Sequence, residues 1–261
     1  VLRQRVPTAL LIGALVIGLD YLGVWWVGIL FAAIAAICTL EIGAMMKVSK
    51  SSAETIIALC FSTLIVLLPW FERLWYVLLY VLLLLTIVRR QQFSFPAAAV
   101  LFAGALYSSY AFRTLLDLRL LSDGAGWVLI VFVAIWATDT GAYFVGRALG
   151  GRKLLPEVSP KKTVSGAVGG LLFATIGTAG AGWVLLDHGT FSFARLALLG
   201  LAISIAGQAG DLVESALKRH YDVKDSGWLL PGHGGVLDRF DSLLLAAPIA
   251  YHLIIWLFFT R

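Results

Sequence analysis

The chain has 261 residues, of which 60% are hydrophobic and only 13% charged, with a mean hydropathy of +0.92. So much apolar surface exceeds what a soluble core needs, which excludes a soluble globular domain and points to an integral membrane protein. The formal charge of +5 carries no sign of a nucleic-acid partner, and Cys38 and Cys60, each alone in an apolar stretch, exclude a disulfide framework and a cysteine metal site; both read as small core residues.

In chain order, nine apolar windows are long enough to cross the hydrocarbon layer as helices: 6–22, 25–46, 53–70, 74–89, 95–116, 126–147, 165–187, 193–219 and 238–260. The prediction is an all-α polytopic membrane protein. Arg3 and Arg5 before the first run imitate a signal peptide, but no small-residue cleavage site follows, so the run reads as a retained helix. Glu41, inside the second window, reads as a paired or interfacial residue. The organisation divides into N-terminal membrane helices over 1–125, about five spans, and a C-terminal catalytic region over 126–261 with polar loops at 148–164 and 220–237.

Cytoplasmic loops carry an excess of Lys and Arg. With the N-terminus inside, only Arg73, Arg113, Arg119, Arg195 and Arg261 of the 20 Lys and Arg fall outside. This orientation puts both polar loops on the cytoplasmic face of the cell (inner) membrane.

At about 1.5 Å per helical residue, Asp139 lies roughly 18 Å and Asp211 roughly 22 Å in from the outer ends of their windows, in the cytoplasmic half. Asp238 and Asp241 open the last helix on the same side, so the four carboxylates can converge on one inner-face cavity. Acids inside spans cost several kcal/mol by order of magnitude unless paired, hydrated or metal-bound, so four at one level call for a cation. Carboxylates without His or Cys suit Mg2+. Asp211, Glu214, Ser215 and Lys218 share a helix face at i, i+3, i+4 and i+7. The plainer alternatives are a Glu214–Lys218 ion pair, a capping role for Asp238, and a packing role for Asp139 between Thr138 and Thr140.

Two segments can cradle phosphate. In P-G-H-G-G, Pro231 to Gly235, glycines let backbone N–H groups approach an anion at a helix start, with Lys218, Arg219 and Lys224 nearby. His233 either donates to a phosphate or holds the loop. In S-P-K-K-T, Ser159 to Thr163, Lys161, Lys162 and Thr163 precede Gly166, Gly169 and Gly170 at a resuming helix; anchoring to anionic headgroups is the alternative for the lysines. A soluble polyphosphate from the cytoplasm and a lipidic phosphate from the inner leaflet are the substrate pair this requires. No protein nucleophile is evident.

The run from Ser215 to Asp241 resembles the signature of the phosphatidate cytidylyltransferases, or CDP-diacylglycerol synthases. Ser215, Lys218, Arg219, Lys224, Asp225, Pro231, His233, Gly234, Gly235, Asp238, Arg239 and Asp241 match it throughout. D-T-G-A-Y-F-V-G-R, S-P-K-K-T and G-Q-A-G-D-L-V-E-S are similar to the family too, so the resemblance covers about 130–260 and leaves the first 125 residues matched only in hydrophobic character. Ser165 departs from the acidic residue common in the family.

The resemblance implies transfer of CMP from CTP to phosphatidic acid, giving CDP-diacylglycerol and pyrophosphate, in the membrane and with Mg2+, a second cation being an option. It implies Asp211, Asp238 and Asp241 at the metal, with Asp139 and Glu214 as further candidates. Lys218 and Arg219 join these acids as catalytic candidates, and Lys218, Arg219, Lys224 and His233 would bind triphosphate. Ser215, Asp225, Gly234 and Gly235 complete the substrate site, with Lys161, Lys162 and Thr163 facing the lipid phosphate or the nucleotide. A homodimer is implied as well. Two rivals are a CTP-dependent polyprenol or dolichol kinase, which needs a general base such as Asp139 or Asp225, and a cation-coupled transporter, which predicts broken helices and an internal repeat; the sequence has no such repeat.

Overall fold

A computed structural model describes Gly18 and residues 22–186, 192–227 and 234–260. Each apolar window from residue 25 onward meets a helix; the first, 6–22, lies almost wholly outside the described residues. Among the described residues six helices are long and apolar enough to cross a membrane: α1 (Val24–Met45), α4 (Phe95–Arg119), α5 (Gly124–Leu149), α6 (Val164–Leu185), α7 (Phe193–His220) and α8 (Leu237–Ile254), which a π-helical turn, Ile255–Phe259, extends. Two shorter apolar helices, α2 (Ala53–Leu67) and α3 (Trp75–Val88), occupy windows 53–70 and 74–89. The chain is an all-α integral membrane protein.

One departure from the helical reading is a two-stranded antiparallel hairpin, β1 (Lys153–Leu155) and β2 (Ser159–Thr163), which the sequence shows only as a polar loop. Pro160 holds its own backbone extended and disfavours helix at Ser159, so the stretch pairs as a ribbon until Thr163 opens α6.

The chain forms two compact units, residues 1–116 with 221–239, and residues 117–220 with 240–261. In the first, Phe31 of α1 meets Phe112 of α4 with ring centroids 5.7 Å apart, and Leu78, Leu82, Phe93 and Leu101 pack into one buried cluster. Polar groups inside apolar helices need internal partners. Thr39 Oγ1 accordingly donates to Ala35 O at 2.9 Å and lies 3.2 Å from Ser62 Oγ, and Arg113 Nη1 donates to Val66 O at 3.2 Å. Cys38 is buried as expected, but Cys60 sits on the exposed face of α2. A lipid-facing surface is as apolar as a core, so its sequence environment does not separate the two.

In the second unit, α5 packs on α6 and α6 on α7. Small residues let the backbones close in. A Cβ on Gly141 would stand 2.6 Å from Gly169 O, and one on Gly200 would stand 2.6 Å from Ala174 O. These close approaches hold α5, α6 and α7 together, and the ends that carry Gly146, Gly166 and Asp211 border a shared cavity.

Candidate active site

The cavity measures about 510 Å³ and is bounded by α5, the hairpin, the start of α6, and α7. Its polar lining combines Asp139 and Asp211 with Arg147, Lys153, Lys161 and Lys162. The hairpin's register carries Lys162 across to α7, where its Nζ lies 2.6 Å from Asp211 Oδ2. Ser215, one turn further along α7, donates from Oγ to Asp211 Oδ1 at 3.3 Å, so both carboxylate oxygens are engaged. Asp139 and Asp241 both lie within the field of Asp211 and of the Lys162 ammonium. Asp241 also accepts from Ser242 N at 2.6 Å.

The floor is pinned by neutral groups that the sequence reading overlooked. Thr138 Oγ1 lies 2.8 Å from Ala134 O and 2.9 Å from Ser204 Oγ. Gln208 Nε2 donates to Ala167 O at 3.2 Å and to Ser204 Oγ at 3.3 Å. Gln208 stands three residues before Asp211 in an otherwise apolar run, and that spacing is the signal that could have found it. At the mouth, Lys161 is exposed and Arg147 Nη1 donates to Tyr143 OH at 2.8 Å.

Thr163 is the N-cap of α6, its Oγ1 accepting from Gly166 N at 3.1 Å. Ser165, the departure from the family pattern, donates to Gly150 O and lies 3.1 Å from Thr163 Oγ1, so it ties the hairpin's base to the helix start. Gly146 and Gly166 keep this corner tight: a Cβ on Gly166 would lie 2.8 Å from Ala142 O.

A second polar knot lies within the first unit. Asp238 Oδ2 accepts from Ser226 N, Ser226 Oγ and Gly235 N at 2.9, 3.0 and 2.7 Å. Glu41, buried on α1, accepts from Ser226 Oγ at 3.1 Å, Val236 N at 3.0 Å and Leu237 N at 2.8 Å. At this helix start the amides of Gly235, Val236 and Leu237 thus donate to carboxylates of the chain itself. Ser226 sits in a loop without periodicity, and nothing in its sequence context signals this role.

Of the four carboxylates read as convergent, Asp139, Asp211 and Asp241 share one electrostatic neighbourhood in the second unit, while Asp238 is engaged in the first unit's knot. Glu214 is buried and paired with Lys218 at 2.5 Å, the intrahelical ion pair weighed as the plainer alternative. Arg219, Lys224 and Asp225 are exposed. Gly234 has φ +79°, and a Cβ there would lie 2.6 Å from Asp238 Oδ2; one on Gly235 would lie 2.1 Å from Ser226 Oγ. Pro231, Gly232 and His233 lie outside the described residues.

Among the described residues no three Asp, Glu, His or Cys side chains form a ready-made metal cage. Mg2+ seldom uses one, since it keeps waters and binds through one or two carboxylates plus substrate phosphates. An oxygen-only set of acids opening on a basic cavity fits that mode.

The chain is similar to known proteins over most of its length. The sequence profile of the cytidylyltransferase family matches residues 3–257. A phosphatidate cytidylyltransferase of Bacillus subtilis (strain 168) is 39% identical over 265 residues, covering 97% of each chain. Proteins of the same name from Staphylococcus saprophyticus (strain ATCC 15305) and Staphylococcus haemolyticus (strain JCSC1435) are each 43% identical over 178 residues, 67% of this chain and 66% of theirs.

Proposed function

The chain belongs to the cytidylyltransferase family, and we propose that it transfers CMP from CTP to phosphatidic acid, releasing pyrophosphate and leaving CDP-diacylglycerol in the membrane. The observation that carries this reading is the Lys162–Asp211 pair in a cavity that gathers both acids and bases. A polyphosphate arriving with a divalent cation needs both signs of charge within one site.

An oxygen of the lipid phosphate attacks the α-phosphorus of CTP. A new P–O bond forms, the bond from the α-phosphorus to the bridging oxygen breaks, and its electron pair leaves with pyrophosphate. The attacking monoester is already anionic, so neither a protein nucleophile nor a strong base is required, and alignment supplies much of the rate. Lys161, Lys162, Lys153 and Arg147 neutralise charge on the phosphates as it shifts toward the leaving group. By the family resemblance, Lys218, Arg219, Lys224 and His233 serve the triphosphate. Asp211 and Asp241, with Asp139 beside them in the second unit, would hold Mg2+, which supplies further neutralisation of the transferring phosphoryl group; the family resemblance adds Asp238 to that set.

The same reading takes nine spans with the N-terminus and the active site on the cytoplasmic side, where CTP is met, and a homodimer as the assembly. The positive-inside distribution of Lys and Arg supports the orientation.

Purified protein in detergent–lipid micelles tests the reaction. Pyrophosphate should appear only when CTP, phosphatidic acid and Mg2+ are all present, together with CDP-diacylglycerol. Formation of CDP from CTP and a polyprenol, without pyrophosphate, would make the protein a lipid kinase instead.

A further inference from the structure

The transfer chemistry has no need of an acid at residue 41, yet Glu41 is only 4% exposed and makes three hydrogen bonds to residues far along the chain. The first N–H groups of a helix have no partner within it. For α8, the amides of Val236 and Leu237 are taken by the two oxygens of Glu41, at 3.0 and 2.8 Å. A carboxylate also complements the positive end of the helix.

Ser226 links this contact to Asp238, its hydroxyl lying 3.1 Å from Glu41 Oε2 and 3.0 Å from Asp238 Oδ2. One hydroxyl proton serves one acceptor at a time, so backbone amides supply the remaining bonds. Two glycines are shaped around the acid. A Cβ on Gly227 would lie 2.4 Å from Glu41 Oε1, and one on Gly235 would lie 2.5 Å from Oε2. The signature's Gly235 therefore makes room for Glu41.

We propose that Glu41 is a positioning residue for the reaction: from α1 it fixes Ser226, Val236 and the first turn of α8, on which Asp238 and Asp241 are mounted. Its own carboxylate remains off the substrates. Losing it loosens the mounting of the signature acids without removing any group that contacts a phosphate. The proposal rests on the nucleotidyl-transfer reading above.

The test uses the full-length protein in detergent–lipid micelles, with Glu41→Gln and Gly227→Ala. The first keeps the size of the side chain but turns an NH2 group toward N–H donors; the second keeps the charge and pushes the carboxylate aside. In both, kcat should fall at least tenfold, with KM for CTP and for phosphatidic acid within about threefold of wild type. Hydrogen–deuterium exchange of the substrate-free protein should quicken over 222–240 and stay unchanged in α5–α7. The double variant should be no worse than either single one. Unchanged exchange, exchange raised along the whole chain, or kcat within twofold of wild type would overturn the role. Wild-type protein that releases no pyrophosphate overturns the reaction itself, and the exchange data, which need no substrate, tell that failure apart from failure of the Glu41 contact.

Discussion

Lys162 Nζ lies 2.6 Å from Asp211 Oδ2, joining the hairpin to α7 at an acid that lines the cavity. Each side chain is a little under a third exposed, so the pair is screened on its own and its main effect is to place both charges. Asp211→Asn and Lys162→Met should each lower kcat/KM by at least tenfold, a loss of about 1.4 kcal/mol or more in transition-state stabilisation. Because the two act together, the double variant should lose much less than the product of the single losses. Steady-state pyrophosphate release measures all three, and Asp211→Asn retaining more than about a tenth of wild-type activity would remove that acid from the site.

Chelation of Mg2+ should abolish turnover, and restoring the ion should recover it. Asp241→Asn should raise the Mg2+ concentration for half-maximal activity by roughly tenfold or more, with an unchanged thermal unfolding midpoint. A Mg2+ titration of the variant decides this; an unaltered midpoint of activation would place Asp241 away from the ion.

The α5–α6 contact leaves no space for a side chain at residue 169, where a Cβ would stand 2.4 Å from Val145 Cβ and 2.9 Å from Gly141 O. Gly169→Val should cost about 1–3 kcal/mol through overpacking. A lowered unfolding midpoint in detergent is the expected result, accompanied by loss of activity because the cavity walls separate.

Thr163 caps α6 through its hydroxyl. Thr163→Ala should destabilise by about 1 kcal/mol, whereas Thr163→Ser should stay near wild type. If Thr163 also binds phosphate, KM for one of the two substrates should rise in Thr163→Ala and recover in Thr163→Ser.

The helices were legible because their apolar runs are long, and helix-face neighbours were legible because their spacing is short. Ser215 beside Asp211 and Lys218 beside Glu214 both follow from i, i+4 spacing. Contacts between elements were not. Lys162 reaches Asp211 only because 153–163 pairs as a hairpin, and the residues around Lys162 carry no strand alternation strong enough to announce it. The donors to Glu41 lie up to 196 residues away in the chain, beyond the reach of any local pattern. The carboxylates stand out in an apolar sequence, but the sharing of Asp238 with Ser226 and of helix α8 with Glu41 depends on tertiary structure.

That distance has a consequence for biogenesis. A chain made from its N-terminus delivers Glu41 to the membrane long before Ser226, Val236 and Leu237 have been synthesised, so α1 first inserts with an acid that has none of these donors. An unpaired carboxylate among apolar residues costs several kcal/mol by order of magnitude, a debt held by the growing polypeptide until α8 begins. A fragment stopping before Ser226 would carry that acid permanently unmet, which makes the first unit, although drawn mostly from early sequence, one of the last parts of the protein to be finished.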